Sequence, residues 1–282
     1  MSVDFANPQR TAFDLTGKVV VIVGGGQMPG DKIGNGRATA LVAARHGAEV
    51  VAVDLNMAAA QETVDMVLAE GGTAYAVHAD VAEREDCEHI FDVVMQRSGR
   101  VDGMVYSVAI NPPFDRERNE MSLENFNKGI DVNMLGCFYC NSFAAQCMEK
   151  NEGSSTGSIV NFSSIASLKN EVGLNIGIMP YALGKCGLNY ITELTAAQYA
   201  DVGIRANTLM LVRGLFANNR NAAGYGHNGW SLFNAVGEYY DHHWFDDADR
   251  NAKAAMQIGN KSYNMKTKTA DLILDLPSVA VL

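Results

Sequence analysis

"KVVVIVGGGQMPGDKIGNGRATA", Lys18 to Ala40, is the stretch whose reading decides the fold. It begins as a β-branched run ended by three glycines, the pattern of a strand buried on both faces. It ends by entering "RATALVAARHGA" (37–48), an alanine-rich helix that Gly47 is expected to close. Between the two, glycines allow a tight turn and let a pyrophosphate approach backbone N–H groups at the helix N-terminus. A plain loop would satisfy the same pattern, so the turn alone leaves the matter open.

Beyond Ala40 the alternation of strand and helix repeats. "EVVAVD" (49–54) reads as a strand and "AAAQETVDMVLAEGG" (58–72) as a helix stopped at Gly71-Gly72. "AYAVHAD" (74–80) is a third strand, a helix covers about 83–97, and "VDGMVYSVA" (101–109) is a fourth strand. One long helical pattern runs from about 122 to 149, followed by strand "GSIVNFSS" (157–164). A helix from Tyr181 to Ala200 leads to strand "IRANTLML" (204–211), and "ADLILDL" (270–276) reads as a last strand. Apolar strands alternating with helices specify an α/β fold, a doubly wound, Rossmann-like parallel sheet of about seven strands. No Pro/Ser linker or repeat interrupts residues 1–282, which read as a single domain. Its segment 213–265, aromatic and His-rich, is expected to be a lid or cap over the substrate.

Composition removes several function classes. The 282 residues are 48% hydrophobic, enough for one sizeable core, and carry a formal net charge of −10. Without a run of Lys or Arg, the chain lacks the electrostatic footprint of a nucleic-acid binder. No stretch approaches the roughly 18 apolar residues of a membrane span, so no membrane partner is expected. Asp4, Arg10, Asp14 and Lys18 interrupt any secretory leader, and five cysteines is an odd count; both suggest reduced thiols and a cytoplasmic location. Cys137 and Cys140 form a C-x-x-C, but with Cys147 they fall near one helical face among apolar neighbours. They read as buried small hydrophobes rather than redox or zinc ligands. His242 and His243 are adjacent and would point apart, so no metal is expected.

Asp54 sharpens the glycine turn. It ends the second strand, where a carboxylate can accept hydrogen bonds from adenosine ribose hydroxyls and would repel a 2′-phosphate. NAD is therefore favoured over NADP, and Leu55 stands where a cation could have favoured the latter. "YALGK" (181–185) adds Tyr181 and Lys185, one helical turn apart on one face.

Together these residues resemble the short-chain dehydrogenase/reductase family from about Lys18 to Leu211. The family pattern T-G-x-x-x-G-x-G is matched by Gly25, Gly34 and Gly36, with Gly24 in place of Thr and about five extra residues in the loop. Asp80 and Val81, in "HADV", match the family's residues near the adenine. The family's N-N-A-G becomes Tyr106, Ser107, Val108 and Ala109, leaving small Ala109 along the cofactor. The resemblance implies that Tyr181 exchanges a proton with the substrate oxygen while Lys185 lowers the phenol pKa and holds the nicotinamide ribose. It implies that Ser164, with Ser163 as its competitor, hydrogen-bonds the substrate oxygen. Asn133 matches the helix-interrupting asparagine that supports a water chain from the lysine.

The implied activity is NAD-dependent interconversion of a secondary alcohol and a ketone, and the aromatic side chains of the 213–265 segment would suit a small, apolar or ring-bearing substrate. The implied assembly is a homo-oligomer, a tetramer or dimer. Three departures stand out. The separation from Ser164 to Tyr181 is longer than usual, Pro-Gly is lost after Asn207, where Arg213-Gly214 is the substitute, and no glycines follow Asp275. The altered N-N-A-G positions and the lost Pro-Gly keep open a catalytically idle dinucleotide-binding member acting as sensor or subunit scaffold. A sugar-nucleotide epimerase would share Tyr-x-x-x-Lys but needs G-x-x-G-x-x-G, which is missing here.

Overall fold

The structure, a computed structural model, describes residues 14–28, 33–153, 156–168 and 175–211. The 213–265 segment, the 270–276 strand, Arg213-Gly214, Asp275 and the His242–His243 pair lie outside the described residues.

Among the described residues, six parallel strands form one sheet in the order β3-β2-β1-β4-β5-β6. They are β1 (Val19–Val23), β2 (Glu49–Asp54), β3 (Thr73–His78), β4 (Gly103–Tyr106), β5 (Gly157–Ser164) and β6 (Ile204–Leu211). Helices α1 (Asn35–Arg45), α2 (Met57–Ala69) and α3 (Arg84–Ser98) connect the first four strands. After β4 come α4 (Leu123–Ile130), α5 (Gly136–Met148) and, beyond β5, α6 (Met179–Gln198). The strands are apolar on both faces because both faces are covered. Val19, Val21 and Val23 pack into one core with Ile90, Phe91, Met104 and Leu188. Val20 and Ile22 point the other way, into a second core with Leu41, Val50 and Val64. That period of two is the strand's own pleat.

Strand order reverses between β1 and β4, and parallel sheets open a crevice at such a point, beyond the strands' C-terminal ends. Two local features shape the crevice. α1 ends at Arg45 with His46 as its cap, and Gly47, at φ +96°, makes the turn that follows. The long helical pattern expected over 122–149 is present as α4 and α5, interrupted by a π-helical turn, Asp131–Leu135, that contains the expected helix-interrupting Asn133. Asn133 explains the break. Buried within the turn, its side chain accepts from Ile110 N–H at 2.9 Å and donates to Ile110 C=O at 2.8 Å. α6 packs so closely on this turn that a Cβ on Gly184 would collide with the Asn133 side chain. Cys137, Cys140 and Cys147 are buried, as is Cys87, in agreement with the small-hydrophobe reading.

Candidate active site at the sheet's C-terminal edge

One cleft runs along the C-terminal edge of the sheet. Gly24, Gly26, Gly34 and Gly36 line one end of it, with Asp54, Asp80, Val81 and Ala109. Ser163, Ser164, Tyr181 and Lys185 line the other.

At the first end the turn is held by backbone. Gly24 N–H and Gly25 N–H both donate to Val53 C=O at 2.8 Å. Gly24 takes φ +83°, and a Cβ on Gly36 would collide with Gly24 C=O, so both residues are required to be glycine for the helix to meet the turn this closely. Gly25 does not line the cleft; a Cβ there would meet Ile22 C=O at 2.9 Å and Ala52 Cα at 3.0 Å. It seats the turn on the sheet, while Gly24 and Gly26 face the opening. Asp54 accepts from Gly26 N–H at 3.0 Å and from Asn56 N–H at 2.9 Å. Asp80 accepts from Ala82 N–H at 3.0 Å, and its own N–H donates to Asp86 at 2.8 Å.

Does this end fit a dinucleotide? Asn56 caps α2 and Ser122 caps α4 through their side chains, and α3 carries Glu85 and Asp86 in its first turn. By contrast α1 has Gly34 at its cap, no side-chain cap and no acid in its first turn. Its N-terminal N–H groups and dipole are left for an anion delivered by the cleft. The residues fit a nicotinamide dinucleotide. The glycine turn and α1 would hold the pyrophosphate, Asp54 the adenosine ribose, Asp80 and Val81 the adenine side, and Ala109 the middle of the molecule.

The other end is built from side chains on rigid elements. Ser164 ends β5, and its Oγ accepts from Ala166 N–H at 3.1 Å, capping a single 3₁₀ turn, Ile165–Ser167. The Ser164 side chain lies near enough to the Tyr181 hydroxyl to favour its ionised form. Its neighbour Ser163 is buried, and its hydroxyl finds no partner among the described residues. The strand's alternation turns the two serines to opposite faces, and Tyr181 meets Ser164. Burial pushes the Tyr181 phenol above its ordinary value, against the influence of Ser164 that lowers it.

Lys185 is 2% exposed. Its ammonium donates to Phe162 C=O at 2.6 Å and Val108 C=O at 3.2 Å, fastening α6 to the ends of β5 and β4. It lies 5.9 Å from the centre of the Tyr181 ring. Burial pushes this lysine down to about 8, with a smaller opposing influence from Cys137. In the protein by itself, then, burial and not the ammonium dominates the Tyr181 phenol. Asn133 stands behind the cleft rather than in it. By clamping Ile110 it fixes the strand end that carries Val108, one of the two carbonyls holding Lys185.

Sequence reasoning missed two participants. Tyr106, standing where the resemblance led to asparagine, donates its hydroxyl to Val132 C=O at 2.5 Å and ties β4 to the π turn. Gln27 accepts from Gly34 N–H at 2.9 Å and folds the turn over. Nothing local marks either role. Among the described residues no group of His, Cys, Asp and Glu could hold a metal ion, and no helix is long and apolar enough to cross a membrane.

Residues 31–212 match the model of a family described as enoyl-(acyl carrier protein) reductase. The chain is 34% identical to cyclohexanol dehydrogenase from an Acinetobacter species over 192 residues, 68% of this chain and 71% of that one. It is 32% identical to glucose 1-dehydrogenase 2 of Bacillus subtilis over 200 residues, 70% of this chain and 71% of the relative. Among solved structures, a short-chain dehydrogenase/reductase from Burkholderia xenovorans superposes with a TM-score of 0.64 at 28% identity, covering 71% of this chain and 76% of the other. A 7α-hydroxysteroid dehydrogenase in complex with NADH gives 0.61 at 28% identity, with 70% and 71% covered.

Proposed function

The chain belongs to the short-chain dehydrogenase/reductase family and is an oxidoreductase taking a nicotinamide dinucleotide, and we propose that it interconverts a secondary alcohol and a ketone with Tyr181 as general acid/base. The observation that carries this reading is that Ser164, Tyr181 and Lys185, on separately anchored elements, line one cleft with the glycine turn and Asp54. A bound nicotinamide supplies the hydride acceptor or donor. The chain's residues do the rest. In the oxidative direction the Tyr181 oxygen takes the proton of the substrate hydroxyl as the carbon becomes a carbonyl; in the reductive direction it returns it. The Ser164 hydroxyl holds the same substrate oxygen and fixes its approach. Lys185, anchored by Phe162 and Val108, holds the nicotinamide ribose and places an ammonium beside the phenol. Asn133 keeps that anchorage rigid through Ile110.

NAD is the cofactor favoured over NADP, because Asp54 presents a carboxylate toward the adenosine end and Leu55 offers no cation. The reacting end is lined by Ile110, Ile165, Ala166, Ile178 and Leu211, which suits an apolar, ring-bearing alcohol. The cyclohexanol dehydrogenase relative points the same way. The exposed apolar side chains of Leu183, Tyr190 and Leu194 on α6 and Phe138 on α5 support assembly into a dimer or tetramer, read directly by light scattering.

The test is Tyr181→Phe. NADH affinity, followed by fluorescence titration, stays nearly unchanged, while turnover of a ring alcohol falls by at least about a hundredfold. Undiminished turnover would remove Tyr181 from the chemistry.

A further inference from the structure

The glycine turn is gripped from behind by side chains that have no part in the reaction. Arg37, directly after Gly36 on α1, is buried despite its charge. Its Nε donates to Thr63 Oγ1 at 2.9 Å, and its Nη2 donates to Ala59 C=O at 3.1 Å and Glu62 Oε2 at 2.9 Å. Thr63 lies in the middle of α2 and is fully buried. Its hydroxyl donates to Gly25 C=O at 2.8 Å, with the Ala59 carbonyl one turn back more distant at 3.3 Å. A helical threonine ordinarily returns its proton to the carbonyl four residues earlier. Here Arg37 occupies that carbonyl and also fills the hydroxyl's acceptor side, so the hydroxyl hydrogen is directed to the turn.

Gly25 C=O and Gly26 N–H belong to the same peptide unit. Thr63 holds its oxygen, and Asp54 holds its N–H at 3.0 Å. A peptide between two glycines is the one most free to flip, since both residues reach either sign of φ. A flip would replace the N–H at Asp54 by a carbonyl and set two oxygens against each other. The clamp opposes it from both sides.

We propose that Thr63, oriented by Arg37, is a positioning residue for the dinucleotide: it locks the Gly25–Gly26 peptide so that the turn stays open and Asp54 stays aimed at the adenosine end. This rests on the reading that the glycine turn receives the cofactor.

The experiment compares the full chain with Thr63→Val, Thr63→Ser and Arg37→Lys, using NADH as probe in fluorescence titration and NAD-dependent turnover alongside. Thr63→Val preserves shape and removes the hydroxyl. The Kd for NADH and the KM for NAD rise about tenfold, while kcat at saturating NAD changes less than about twofold. Thr63→Ser restores both constants. Arg37→Lys keeps the charge but cannot hold Thr63 and Ala59 together, and it weakens NADH binding in the same direction. Wild-type NADH affinity in Thr63→Val, failure of serine to rescue, or an unchanged Kd in Arg37→Lys would overturn the clamp while leaving the dinucleotide reading standing. A parent chain that binds no NADH would overturn that reading and the clamp with it.

Discussion

Asp54 and Asp102 both stand at strand ends beside β1, on opposite edges of the sheet, and they keep different company. Asp102, at the N-terminal edge, accepts from Val19 N–H and Lys18 Nζ at 3.0 Å and from Arg100 at 2.7 and 2.6 Å. Burial pushes its carboxyl up, and the hydrogen bonds from Arg100, Val19 and Lys18 outweigh that and hold it below the usual carboxylate range. Asp54, at the C-terminal edge, has two backbone N–H partners and forms no ion pair among the described residues. The two lysines differ in the same way. Lys18 is paired with Asp102, whereas Lys185 is buried against two carbonyls. At one edge charges are used up in joining β1 to β4; at the other they are left facing a cleft. A saturated charge stabilises the fold, and one without its counter-charge serves a ligand.

Three substitutions sharpen or break this contrast, beyond the loss of turnover expected for Tyr181→Phe. Asp54→Ala lowers the NAD-over-NADP preference by about tenfold or more, read as the ratio of kcat/KM with the two cofactors, and leaves the melting temperature near that of the parent. Indifference would take Asp54 out of the cofactor site. Asp102→Ala does the reverse. It leaves the buried Val19 N–H without its acceptor and costs about 1–3 kcal/mol in denaturant unfolding, with kcat/KM unchanged. Because the folded carboxyl titrates below its unfolded value, the stability Asp102 contributes is present above the unfolded pKa. It is lost as pH falls through the folded one, so the parent and Asp102→Ala converge in acid.

The smallest effect belongs to Lys185. Its pKa is lowered by folding to about 8, so the ammonium's burial costs stability at neutral pH. That cost is relieved as pH rises through about 8 toward the unfolded value near 10.4. Lys185→Met flattens the rise in stability between about pH 8 and about pH 10.4 by at most about one proton in linkage slope. An unchanged slope would mean the lysine keeps an ordinary pKa in the fold.

The sheet was legible because its signals are local. β5 and β6 run over the residues that the apolar runs mark, and Asp54 closes β2 where the run ends. That Asn133 interrupts the 122–149 helix was legible only through the resemblance, because the interruption depends on Asn133 finding Ile110, 23 residues away, a partner no helical period reveals. The Tyr181–Lys185 spacing was readable as one helical turn. That the ammonium would turn to Phe162 and Val108 was not, since both carbonyls come from other strands. Which glycines line the cleft was not legible, for a related reason. Gly25 and its neighbours look alike in sequence, and only packing against Ala52 decides which of them faces the cleft. Thr63 reads as an ordinary helix residue until Gly25, 38 residues distant, lies against it.

The most direct test follows the absorbance of reduced nicotinamide in the full chain, offered a panel of ring-bearing secondary alcohols and ketones, cyclohexanol among them, with NAD and NADP in parallel. Turnover of at least one alcohol–ketone pair, faster with NAD than with NADP, is the expected result. Tight NADH binding with no alcohol or ketone turned over would contradict it, and would leave a dinucleotide sensor or scaffold in place of an enzyme.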